Sequence, residues 1–339
     1  MNKKFLTLLV ASSLGFSVLN TNAVAEPTYY PPENAIPMKL TQVPGYYRVM
    51  VGEFEVTALY DGAASLNAEL FSKYSKFNKK ELEKMINDEF SLKTENGGVN
   101  TAIIAFLINT GKNLILVDAG KGNVQDPIFV NDQGSLISSL NAAGYSADQI
   151  DIILPTHMHA DHFSGVTVDG KRVFPNATIY LPNQEKAFWL DKSIDQIPNS
   201  AKPFVRWARE AAEPYIKANK IKFYNSGDEV IPSVKSVPLF GHTPGHSGFE
   251  ITSNNETILI WGDLMHNHAI QMQHPEVAVD FDANSISARK SRLNILPKIA
   301  KRKILVAGAH LPFPGIGHIR IENNGYRWIP IEYQPISKN

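Results

Sequence analysis

The stretch LPTHMHADHFSG, residues 154–165, sets three of the chain's ten histidines and an aspartate within six consecutive positions, directly behind the strand-forming segment IDIIL. Imidazoles and a carboxylate crowded at the buried end of a strand cost several kcal/mol unless a partner satisfies them. The segment therefore calls for a fold that delivers it to an edge where other segments complete the ligand shell of a cation. His157 and His159 alternate along extended chain and so project to one side. Asp161 and His162 follow in the turn and reach a second, neighbouring position. One segment supplies half of the donors for two ions.

Three further strand ends carry metal-type residues: His242 in LFGHTPGH after VKSVP, Asp263 at the end of ETILIWGD, and His310 at the end of KILVAGAH. In a layered α/β fold the C-terminal ends of strands face a common edge where ligands bind. His242 then completes the first shell, His310 the second, and the Asp263 carboxylate can bridge both. The chain contains no cysteine, so every donor is nitrogen or oxygen. Such a set suits zinc, iron, cobalt or manganese. Two divalent ions, with zinc as the first expectation, are the cofactors this reading implies.

The rest of the chain supports a layered α/β body. YYRVMVGEFEVTALYDG (46–62) reads as two strands turning near Val51-Gly52, and TAIIAFLINTGKNLILVDAG (101–120) as a second pair around Thr110-Gly111-Lys112. Between them NKKELEKMINDEF (78–90) is a surface helix with Asn78 as its cap. From residue 134 helices and strands alternate, beginning with GSLISSLNAAGY, whose Leu136, Ile137 and Leu140 recur at helical spacing before Gly144. Strands near 178–181, 256–263 and 303–310 and helices near 183–192, 203–219 and 283–299 follow. Helices outside two sheets is the expected arrangement.

Residues 1–25 have two lysines, an apolar run from Phe5 to Leu19 and Ala23-Val24-Ala25, the three-part pattern of a secretory signal cleaved after Ala25. The run is shorter than the roughly 20 apolar residues of a membrane span. A periplasmic or secreted product is the expectation, with an extended proline-rich arm at 26–45 and a single domain over 46–339. Removing the leader takes two lysines from balanced totals of 33 basic and 33 acidic residues. The resulting net charge near zero argues against a nucleic-acid or membrane surface.

THMHADH, GHTPGH, WGD and GAH, in this order, resemble the metallo-β-lactamase superfamily of dinuclear hydrolases. GYYRVMVGEFEVTALYDG, EKAFWL and GAHLPFPGIGHIRIENNGYRWIPIEY are similar to the methyl parathion hydrolase group of exported bacterial enzymes, over roughly residues 41–334. The resemblance implies an αββα four-layer sandwich and, in members near this group, a homodimer. It implies His157, His159 and His242 on one metal, Asp161, His162 and His310 on the other, and Asp263 between them. It places Asp118 as acceptor of a hydrogen bond from a ligand imidazole, and Trp189 and Phe204 in an aromatic substrate pocket. His246, His266 and His318 match family positions without a spacing that makes them ligands. KGNVQDPIFVNDQG, after Gly120, is longer than the family's loop, and its pocket aromatic stays unassigned.

On this reading a hydroxide shared by two cations attacks a small uncharged ester, lactone or phosphotriester, with Asp161 and Asp263 positioning it and relaying a proton. Asp161 and Asp263 are thus the expected catalytic carboxylates. The alternatives are a β-lactamase-type amide hydrolase and a metal-binding protein of the same fold without activity. Forms of the former that use a cysteine ligand are excluded by composition. A nuclease lacks its basic groove here, and a serine hydrolase lacks its G-x-S-x-G elbow.

Overall fold

The computed structural model describes residues 36–130 and 134–336. The leader and the first part of the arm lie outside the described residues; residues 36–43 form a unit of their own with neither helix nor strand. Residues from Pro44 onward form a second, compact unit.

That unit is built on two seven-stranded sheets. The first contains β1 (Tyr46–Val51), β2 (Phe54–Leu66), β3 (Val99–Asn109), β4 (Leu114–Val117), β5 (Ile152–Leu154), β8 (Thr178–Pro182) and β9 (Ile221–Tyr224), in that spatial order. β6 (Thr167–Val168) and β7 (Lys171–Arg172) make a separate small hairpin. The second sheet runs β10 (Glu229–Ile231), β11 (Val234–Pro238), β12 (Ser247–Ser253), β13 (Glu256–Ile260), β14 (Leu305–Ala307), β15 (Ile316–Glu322) and β16 (Gly325–Pro330). β1 to β4 pair antiparallel; β1–β2 and β3–β4 are hairpins, while β2 and β3 are joined through the helix Lys79–Asp88. β4, β5, β8 and β9 pair parallel, as do β13 and β14.

Alternation along the strands sets the layers. On β3, Ile104, Phe106 and Ile108 face the core between the sheets, where they meet Phe249, Ile251, Ile258 and Ile260 of the other sheet. Ala105 and Leu107 point the opposite way, onto Leu136, Leu140, Val205, Ala208 and Tyr215 from the helices Leu136–Ala142 and Lys202–Lys217. The outer face of the second sheet, with Leu259, Val306 and Ile319, packs on Leu296 and Ile299 of the helix Ser285–Arg302. The layers are helix, sheet, sheet, helix: the αββα sandwich. Each fully buried Leu, Ile or Phe contributes about 1.5–3 kcal/mol from burial, so both faces of both sheets are under strong register constraint.

Local details differ from the sequence expectation, among them the strand expected to reach His310, which ends at Ala307. The helix expected over 183–192 begins as Asn183–Glu185 and then widens into a π-helical turn at Lys186–Asp191, a winding common at functional sites. The strand expected to reach Asp263 stops at Ile260. Gly262 then takes a positive φ of 53°, and a Cβ there would meet the His246 ring and the Thr156 side chain at 2.7 Å. Only glycine turns the chain so closely past those two residues.

Candidate metal centre

The four strand ends converge. His157 Nε2, His159 Nδ1, His242 Nε2 and one carboxylate oxygen of Asp263 lie mutually within 4.8 Å, and so do donors of Asp161, His162 and His310. Within the first group His242 Nε2 is 2.8 Å from His159 Nδ1, 3.2 Å from His157 Nε2 and 3.2 Å from Asp263 Oδ2. In the second, Asp263 Oδ1 is 3.0 Å from His162 Nε2 and 3.2 Å from His310 Nε2, while Asp161 Oδ2 is 3.4 and 3.5 Å from the same nitrogens. Ligand bonds near 2.1 Å in a tetrahedral site put donor atoms about 3.3 Å apart. Each group has the spacing of a half-shell around one ion, and the Asp263 carboxylate stands between them, with His310 Nε2 3.2 and 3.3 Å from its two oxygens.

The outer faces of the imidazoles are held. His162 Nδ1 donates to Asp118 Oδ2 at 2.9 Å, His242 Nδ1 to Asp282 Oδ1 at 3.0 Å, and His310 Nδ1 to the Ala102 carbonyl at 2.7 Å. His157 Nδ1 lies 3.1 Å from Thr156 Oγ1, which itself donates to Asp118. These bonds place a proton on each outward nitrogen and turn the inward nitrogens toward the cluster. Asp118, at a positive φ of 62° just after β4, also accepts the Thr156 N–H. One strained residue thereby ties the first histidine of the motif to the last.

The cluster fits cations on two further grounds. His162 Nε2 and Asp263 Oδ1 are buried and find no hydrogen-bond partner among the described residues, although they face each other. Electrostatically, burial pushes the His162 and His242 imidazoles down, but Asp263 and its neighbouring carboxylates outweigh it. His162 ends well above the usual range and His242 at about 9. Burial and neighbouring histidines instead hold His157 and His159 well below it. A site that draws positive charge onto some inward nitrogens while leaving others as free lone pairs is suited to divalent ions.

His246 and His266 join the site, while His318 does not. Asp263 N–H donates to His246 Nε2 at 2.9 Å, and His246 Nδ1 donates to the Leu239 carbonyl. Burial, then His242, lowers the His246 pKa to about 3, so its ring is a neutral brace. His266 Nε2 is 3.0 Å from Asp263 Oδ2, its ring stacks on His310, and its buried Nδ1 has no hydrogen-bond partner among the described residues. His318 bonds the Ile304 carbonyl instead. Arg292, fully buried, donates to the carbonyls of Leu264, Pro275 and Val277 and so fixes the chain that leaves Asp263.

A cavity of about 480 Å³ opens over the cluster, lined by His159, Asp161, Asp263, His266 and His310 at its floor and by aromatic walls. Trp189 and Phe204 are both in the wall, with Phe188, Trp207, Phe281 and Phe129. Phe129 is the aromatic of the loop after Gly120. Trp189 is also a core residue, 2% exposed, whereas Phe204 is 42% exposed. Among the described residues no lysine or arginine lines the cavity.

Residues 99–324 match the family model of the metallo-beta-lactamase superfamily. Among solved structures, the hydrolase AbOPH, described as in the beta lactamase superfamily, aligns with a TM-score of 0.80 at 36% identity, over 87% of this chain and 100% of that one. AidC, a dizinc quorum-quenching lactonase solved with the product N-hexanoyl-L-homoserine, aligns with a TM-score of 0.77 at 30% identity, over 86% of this chain and 99% of its own. The N-acyl homoserine lactonase AiiA of Bacillus thuringiensis subsp. kurstaki is 24% identical over 179 residues, 48% of this chain and 63% of that protein. The chain thus spans less than two thirds of the length of that curated relative.

Proposed function

Because the chain belongs to the metallo-β-lactamase superfamily, we propose that it is a dinuclear metal-dependent hydrolase of small uncharged lactones and esters. The observation that carries this is Asp263, set between the two groups: Oδ2 is 3.2 Å from His242 and 3.7 Å from His157, Oδ1 is 3.0 Å from His162, and His310 lies 3.2 and 3.3 Å from the two oxygens. The lactonases among its relatives support the lactone. Two divalent ions, zinc first, would supply Lewis acidity toward the acyl or phosphoryl oxygen and acidify water enough to make a nucleophile near neutral pH.

The protein's own groups supply the rest. Asp118, Thr156, Asp282 and the Ala102 carbonyl keep the imidazoles oriented. Of the two cluster carboxylates that line the cavity, Asp161 is the more open, 17% against 4% exposed, and is placed to take a proton and pass it to solvent. The aromatic walls exclude water and take an apolar acyl or aryl group. Asp126, Asp280 and Asp282 in the lining, with no lysine or arginine there among the described residues, disfavour anionic substrates.

The same cavity favours a second substrate class. Aromatic walls without counter-charge also suit a neutral aryl phosphotriester, and the motifs shared with the methyl parathion hydrolase group point the same way. Comparing kcat/KM of one zinc-loaded preparation on an N-acyl homoserine lactone and a dimethyl aryl phosphotriester decides between them. A lactone preference of about 100-fold or more, near 2.7 kcal/mol in the transition state, is expected. Hydrolysis of neither would remove the proposal. Export with cleavage after Ala25 and a homodimer belong to the same reading; N-terminal sequencing of the secreted product and light scattering test them.

A further inference from the structure

Glu185 is fully buried, and its four hydrogen-bond donors are all neutral. Oε2 accepts from the Met158 N–H at 3.1 Å and Trp189 Nε1 at 2.6 Å; Oε1 accepts from Thr243 Oγ1 at 2.6 Å and the Gly245 N–H at 2.8 Å. Burial pushes its carboxyl up despite these bonds. A carboxylate held in the interior without a cation is costly, and four buried donors converge on it. Where its partners lead gives the reason for its presence.

Met158 stands between His157 and His159, so its N–H fixes the extended segment from which both imidazoles project. Thr243 and Gly245 follow His242. Gly245 seats that loop directly on Glu185, since a Cβ there would meet the Glu185 backbone nitrogen at 2.6 Å. Trp189 stands edge-on to the His159 ring, with centroids 5.5 Å apart, and His159 has no outward carboxylate of the kind that holds His162 and His242. Three routes therefore run from one carboxylate to the three imidazoles of a single half-shell. The other group is anchored elsewhere, His162 on Asp118 and His310 on Ala102.

We propose that Glu185 is a positioning residue for one half of the centre, holding His157, His159 and His242 in mutual register while the Asp161, His162 and His310 group stands independently of it. This rests on the metal reading above. Residues that orient ligands typically change metal affinity by about 10- to 100-fold when replaced. Glu185→Gln keeps the shape but turns one acceptor into a donor facing a donor.

The test is a zinc titration of the metal-stripped mature protein against a competing chelator. Wild type is expected to take two equivalents. Glu185→Gln is expected to keep one at wild-type affinity and weaken the other about 10- to 100-fold, with anomalous scattering placing the retained ion at Asp161, His162 and His310. Thr243→Val, which removes a single donor, is expected to weaken the same equivalent by less and decides the matter should Glu185→Gln not fold. Two unchanged equivalents, or two weakened alike, in a variant with the wild-type circular dichroism spectrum would overturn the proposal. A wild type that takes up no zinc would overturn the metal reading itself.

Discussion

Asp118 Oδ2 accepts a hydrogen bond from His162 Nδ1 at 2.9 Å across 44 residues of chain, with both groups buried. The bond fixes which nitrogen of His162 faces Asp161, Asp263 and His310. Asp118→Asn can offer an amide N–H where an acceptor is needed, freeing the ring to turn or change tautomer. Metal analysis after dialysis should show the Asp161, His162 and His310 ion held about 10- to 100-fold more weakly, and kcat/KM should fall with it. Full occupancy with unchanged turnover would show that the bond is only structural.

Asp263 is the carboxylate common to both half-shells, so Asp263→Asn should disturb both ions alike, whereas Asp118→Asn acts directly on the His162 side and reaches His157 only through Thr156. An amide keeps the volume but presents at most one oxygen, and the cluster loses its central negative charge. Turnover on either substrate class should drop at least about 100-fold, the scale of several kcal/mol of lost charge stabilisation. Elemental analysis beside the rate assay checks this; a wild-type rate at full occupancy would remove Asp263 from the mechanism.

How far the sequence could be read depended on where each residue's partners lie in the chain. His157, His159, Asp161 and His162 announce themselves because four donors in six positions have few other uses, and His242, Asp263 and His310 because each follows a strand-forming segment within a few residues. The two-sheet sandwich was legible for a similar local reason: hairpin pairs and alternating strand and helix leave few arrangements. Glu185, Asp282 and Asp61 gave no such signal. Apart from Trp189, four residues on, the partners of Glu185 lie 27 to 60 residues away; the Asp282 bond to His242 spans 40, and those of Asp61 span 60 and 75. An isolated acid in a polar stretch looks like any surface acid until the fold closes around it. His266 is three residues from Asp263, a helical spacing in a segment that reads as a strand end, and only the 3₁₀ turn Gly262–Leu264 brings the two together.

Trp189 and Phe204 both line the cavity but should fail differently. Trp189 packs in the core and donates to Glu185, so Trp189→Ala should cost about 3–5 kcal/mol of stability along with activity. Phe204 is partly open to solvent, 42% exposed, and Phe204→Ala should stay within about 0.5 kcal/mol of wild type. Its loss should instead appear in KM for aryl or long-acyl substrates, several-fold up, with kcat nearly unchanged. Denaturant melts and Michaelis curves on the two variants separate these effects; a Phe204→Ala protein with wild-type KM on both substrates would take Phe204 out of the pocket's function.

Asp61 supplies a pH test away from the ions. It sits at the bulge in β2 between Tyr60 and Gly62 and accepts the N–H groups of Lys121 and Leu136, each at 2.9 Å. It thus pins both ends of the loop that carries Phe129. A Cβ on Gly120 or Gly134 would strike its carboxylate at 2.4 or 2.3 Å, so the loop ends close tightly on this group. Burial raises its pKa from 3.8 to about 6, the hydrogen bonds and Lys121 offsetting only part of that. A folded pKa above the unfolded one means that the folded state binds the proton more tightly. Stability from this group is therefore greatest below about pH 4 and falls as pH rises toward 6, by an amount on the order of 3 kcal/mol. Asp61→Asn cannot titrate and loses one backbone hydrogen bond, worth about 1–3 kcal/mol. The wild type's margin of stability over Asp61→Asn should therefore be wide at pH 4.5 and narrow steadily to pH 7. Paired urea melts across that range measure it, and a margin constant with pH would mean that the Asp61 carboxyl is ionised throughout.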